Sequence, residues 1–100
     1  MKGPLSKDPP AGVVAYELEP GKVLFVHPLP NAFDDAGLSP AEREVTALIL
    51  HGRDNASIAN LRGTSVRTTA NQVASIFGKL GVRSRAQLAA KAHRASAEPD

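Results

Sequence analysis

The chain has 100 residues and a net charge of +2, room for one domain and a small appendage. It has no cysteine, which excludes a disulfide framework and thiolate zinc sites, and its apolar runs, such as Val23 to Val26, are far too short to cross a membrane. Residues 38–95 carry nine Lys/Arg against three acids, a balance of +6, while residues 1–37 and the last five residues each balance at −2; a basic block between acidic flanks fits either a polyanionic partner for that block or ordinary solvated charge.

Residues 1–12 combine Gly3, Pro4, Pro9, Pro10 and Gly12 with few apolar side chains and are predicted to form a disordered arm. One early lysine with no apolar stretch behind it is no secretion signal, so a cytoplasmic location is expected. Residues 13–37 read as a β-hairpin and linker. Val14, Tyr16 and Leu18 alternate with Ala15 and Glu17 at the period of a half-buried strand. Val23, Leu24, Phe25 and Val26 make a second β-rich run. Between them, Glu19-Pro20-Gly21-Lys22 sets Pro and Gly at the two central positions of a type II turn. A lone hairpin is marginal in water, so this one must pack on the rest of the chain or pair with a second chain. Pro28, Pro30, Asn31, Asp34 and Asp35 then make the linker.

From Leu38 the period becomes helical. Ser39 caps a first helix, Pro40 suits its first position and Glu42 completes a capping box. Val45, Leu48 and Ile49 follow at helical spacing, and Gly52 stops the helix. Asp54 or Asn55 caps a short second helix carrying Ile58, Ala59 and Leu61, which Gly63 ends. Ser65 caps a third helix to about Lys79, with Gly81 just beyond. Ser84 and Gln87 form another capping box and open an alanine-rich fourth helix that ends near Ala95. Residues 96–100 read as a frayed tail. The expected fold class is mainly α: four helices at 38–95 with a small β-hairpin before them.

Two short helices joined by the tight turn Arg62-Gly63-Thr64 have the pattern of a helix-turn-helix, whose second helix enters the major groove of DNA, a pattern that many small helical domains share without binding DNA. At about 100° per residue the predicted third helix has two faces. Thr69, Val73, Ile76 and Leu80 make a core stripe with one polar intruder. Arg67, Ala70, Asn71, Ala74 and Gly78 make the opposite stripe, which carries neither Glu nor Lys. Arg67 suits guanine O6/N7, Asn71 suits adenine, and Ala70 and Ala74 are small enough for close approach and a thymine methyl. Ser65, Thr68, Thr64 and the amides opening the helix are candidate phosphate contacts, with Arg53, Lys79, Arg83 and Arg85 adding charge.

Leu38-Ser39-Pro40-Ala41-Glu42-Arg43-Glu44-Val45 resembles the opening motif of the LuxR/FixJ (GerE-like) DNA-binding domain. Gly52, Asn55, Ile58-Ala59, Gly63, Ser65, Arg67-Thr68, Ile76-Phe77, Lys79-Leu80-Gly81-Val82 and Arg83-Ser84-Arg85 follow in that family's order and spacing. The resemblance spans about Leu38 to Ala92. It implies four helices, a third helix in the major groove, promoter binding at inverted half-sites and a fourth helix that often dimerises. The chain departs from the family at Arg62, usually Leu, with Leu61 next to it as a replacement. Thr64 and Thr69 replace apolar residues, each bringing a hydroxyl near the core. Ala70 and Ala74 stand where basic DNA contacts are frequent, and Gln72 where histidine is common. Arg67 and Asn71 are therefore expected to carry more of the readout. Residues 1–37 are too few for the receiver or acyl-homoserine-lactone domains that often precede this module, so no sensing domain of those kinds is expected.

These features predict sequence-specific binding of double-stranded DNA by a bacterial transcription regulator acting as a homodimer. Its interface is expected at Ala86, Ala89, Ala90 and Ala92 of the fourth helix, or at the hairpin edges. The rival reading is a degenerate helix-turn-helix serving as an adaptor to RNA polymerase or another regulator. An enzyme is not expected: His27, His51 and His93 fall in different elements, Asp34-Asp35 has no base beside it, and no nucleophile motif or phosphate loop is present. Neither a metal nor a cofactor is expected.

Overall fold

Residues 14–26, 29, 33 and 36–97 are described by the computed structural model. The arm at 1–12, the linker residues Pro28, Pro30, Asn31, Asp34 and Asp35, and residues 98–100 of the tail lie outside the described residues. Strands β1 (Val14–Glu19) and β2 (Lys22–Val26) pair antiparallel, Tyr16 opposite Leu24 and Val14 opposite Val26. Gly21 sits at φ 86°, as the third residue of a type II turn requires. One hairpin face turns inward through Tyr16, Leu24 and Val26, and the other leaves Val23 and Phe25 exposed.

Four helices follow: α1 (Pro40–Leu50), α2 (Asn55–Arg62), α3 (Val66–Leu80) and α4 (Arg85–Ala97). Each begins where a short polar side chain satisfies an orphan amide. Ser39 Oγ accepts from Glu42 N at 3.1 Å while Ser39 N donates to the Glu42 carboxylate at 2.8 Å. Asp54, rather than Asn55, caps α2, accepting from Ser57 N at 2.8 Å. Ser65 Oγ accepts from Thr68 N at 3.0 Å. Ahead of α4, Gln87 N donates to Ser84 Oγ at 3.1 Å, but the Gln87 carboxamide accepts from Arg83 N, one residue before the amide a capping box uses. Helix α4 runs two residues past Ala95, because Ser96 and Ala97 contain no breaker; the first proline lies at 99.

The core gathers Val45 and Leu48 from α1, Ile58 and Leu61 from α2, Val73, Ile76 and Leu80 from α3, and Leu88 from α4. The segment before α1 also contributes: Tyr16, Val26, Leu29 and Phe33 are all buried in the same cluster. Leu29 and Phe33 stand inside the stretch read from sequence as linker. Isolated apolar residues among prolines and aspartates have no period to betray them, and only their contacts make them core. The hairpin is thus part of the fold, with β1 packed on α2.

Candidate nucleic-acid interface

Helix α2 ends at Gly63, φ 70°, a left-handed cap that costs a glycine little. Thr64 N then bonds back to Ala59 O at 2.9 Å, which turns the chain sharply into the Ser65 cap of α3. Thr69, Val73, Ile76 and Leu80 face the core as the spacing predicted. The two unexpected hydroxyls answer each other: Thr64 Oγ1 and Thr69 Oγ1 lie 3.2 Å apart. Burying Thr69 completely therefore strands no polar atom, and the penalty for a lone buried hydroxyl is avoided.

The opposite face of α3 is open. Arg67, Ala70, Asn71, Ala74 and Gly78 are all exposed, and an added Cβ at Gly78 would meet nothing within 4 Å. One flank of this face is polar, with Thr68, Ser75 and Lys79 exposed; the other is apolar, with exposed Val66 and half-buried Phe77. Val66 did not enter the predicted site. Its position directly after the Ser65 cap was the available signal.

The candidate phosphate contacts separate into engaged and open groups. Lys79 Nζ lies 2.7 Å from Glu42 Oε1 and also donates to Gly37 O at 3.2 Å. Ser75 Oγ donates to the second Glu42 oxygen at 2.7 Å. The hydrogen bond from Lys79, then the Ser39 amide and the Ser75 hydroxyl, hold the Glu42 carboxyl down to about 2. Lys79 thus spends much of its charge inside the protein. The Arg85 guanidinium donates to Arg53 O at 2.8 Å and to Asn55 Oδ1, bringing Arg53 and Arg85 together at the start of α2. Arg53 is half-buried, its Nε without a hydrogen-bond partner among the described residues. Arg83 is exposed. Ser65 is engaged at the cap and donates to Thr68 Oγ1, leaving the Thr68 hydroxyl proton available. Thr64 is half-buried against Thr69.

On α4, Ala86, Ala89 and Ala90 are exposed, whereas Ala92 packs on the core. Among the described residues no three His, Cys, Asp or Glu side chains are grouped to hold a metal ion.

Residues 36–92 match GerE, the luxR family of bacterial regulatory proteins. The chain belongs to that family. The luxR-family match covers α1, α2 and α3 whole and the first part of α4, and marks the chain as a DNA-binding transcription regulator with a two-stranded hairpin ahead of the family domain. No curated protein and no solved structure matches the chain. No helix among the described residues is long and apolar enough to cross a membrane.

Proposed function

We propose that this luxR-family chain binds specific double-stranded DNA sites as a homodimer in the cytoplasm, with α3 lying in the major groove. The observation that carries the reading is the uncovered face of α3, where Arg67 and Asn71 stand exposed among small residues. The hairpin leaves that face clear, since β1 packs on α2 and Tyr16 reaches Glu44 on α1. Arg67 reads guanine and Asn71 adenine. Thr68, the amides opening α3, Arg83 and the Arg53–Arg85 pair contact phosphates. A single reading helix makes few base contacts, so two copies on inverted half-sites supply the specificity. The exposed Ala86, Ala89 and Ala90 of α4 offer the surface for pairing.

The test is selection of bound sequences from a random duplex pool, followed by a salt series on the selected duplex. The expected result is an inverted-repeat site whose affinity falls steeply with salt as counterions are released. Absence of salt-sensitive duplex binding, together with tight binding to RNA polymerase or another regulator, would establish the adaptor reading instead. The pairing of Lys79 with Glu42 and the alanines at 70 and 74 are what favour that second reading.

A further inference from the structure

Resting on the DNA-binding reading above, we infer that the leading end of α3 recognises the 5-methyl groups of thymine, with Val66 as a specificity-determining residue. Val66 is the first residue of α3 and is 51% exposed. It sits at the edge of the core stripe of Thr69, Val73, Ile76 and Leu80, with part of its side chain left exposed beside the open face that carries Arg67 and Ala70.

Helical spacing arranges the exposed face of α3 as two parallel ribs. Val66 and Ala70, one turn apart, form an apolar rib that Ala74 continues; Arg67 and Asn71, also one turn apart, form a polar rib beside it. The N-terminal residues of a recognition helix are the ones that meet base edges. In the major groove the one apolar group on any base edge is the thymine methyl. The polar rib therefore matches the hydrogen-bonding edges of guanine and adenine, and the apolar rib matches methyls at neighbouring positions. The two ribs are also compatible at a single base pair, since an adenine read by Asn71 carries its paired thymine methyl in the same groove.

The experiment uses the full chain and a duplex selected with it from a random pool. Each thymine is replaced in turn by deoxyuridine, which removes one methyl and leaves every hydrogen-bonding group in place. Binding is followed by fluorescence anisotropy at fixed salt. At one or more positions affinity should fall about fourfold, the worth of one buried methyl. Val66→Ala should erase the discrimination at one of those positions or more, while the variant stays folded at the temperature of the binding assay. The inference is overturned, and the DNA-binding reading survives, if every uracil duplex binds like its thymine parent or if Val66→Ala keeps the full thymine preference. Retention of no duplex from the pool overturns both.

Discussion

The Tyr16 hydroxyl donates a 3.1 Å hydrogen bond to Glu44 Oε1, which joins the hairpin to α1. The other oxygen of the same carboxylate lies 3.3 Å from Arg62 Nη1 at the end of α2. Three elements thus meet at one carboxylate, which Arg62 pairs from the end of α2. The Arg62 cation balances the same carboxylate that accepts from the buried Tyr16 hydroxyl. Leu61 meanwhile fills the core.

Burial, reinforced by the Glu44 charge, pushes the Tyr16 phenol up from 10.0 to about 12. The chain has one tyrosine and no tryptophan, so phenolate absorbance reports Tyr16 alone. The folded state favours the neutral phenol; its stabilising contribution is complete below pH 10.0 and is lost as pH climbs to about 12. Glu44→Gln should lower the titration midpoint and leave it above the ordinary tyrosine value. In urea denaturation Tyr16→Phe should cost about 1 kcal/mol, and Tyr16→Ala about 3–5 kcal/mol, as for other large aromatic truncations. A midpoint at the ordinary value in the folded chain would mean the hairpin does not dock.

The Thr64–Thr69 pair should give a non-additive mutant cycle. Thr64→Val leaves the fully buried Thr69 hydroxyl without its partner and should cost about 1–3 kcal/mol. Thr69→Val should cost less, because Thr64 is half-buried and can turn to water. The double valine variant should return close to the parent chain. Additive costs in chemical denaturation would show that the two hydroxyls do not interact.

Glu42 sets the acid limb of stability. Its folded value near 2 lies below the ordinary 4.5, so the unfolded chain binds the proton more readily. Its contribution is complete above pH 4.5 and is lost as pH falls toward 2. The difference in melting temperature between the parent chain and Glu42→Gln should therefore shrink over that interval. A difference that stays constant from pH 6 to pH 2 would rule out the Lys79–Glu42 pair as its source.

On DNA, the open and engaged cations should behave differently. Arg67→Ala should cost about 1–3 kcal/mol at the selected site, and Asn71→Ala should relax preference at one base pair. Arg83→Ala should weaken binding to all duplexes and reduce the salt slope by about one. Lys79→Ala should instead lower the melting temperature, with little change in slope, because its charge is tied to Glu42. Unchanged operator preference in the Arg67 variant would remove that residue from the readout.

The caps were legible before the fold because each is an interaction over three residues. Ser39 with Glu42 and Ser65 with Thr68 are visible as spacing, whereas for α2 spacing left Asp54 and Asn55 both open and the fold chose Asp54. The two faces of α3 follow in the same way from helical period. The partners of Lys79 and Arg85 were not legible. Read in sequence, both are simply cations near a presumed DNA face, but they reach Glu42 and Asn55, 37 and 30 residues away.

Local spacing alone determined the hairpin turn, the four helices, the caps at Ser39 and Ser65 and the outward stripe of Arg67 and Asn71, because neighbours within one turn of helix or one strand pair settle those features. Tertiary structure decided the rest: Phe33 and Leu29 enter the core, Ala92 faces inward, Thr69 finds Thr64, and the hairpin docks through Tyr16 and Glu44. Such commitments depend on which distant side chains the packed helices bring within hydrogen-bond or van der Waals reach. That proximity belongs to the assembled core and to no short stretch of the chain.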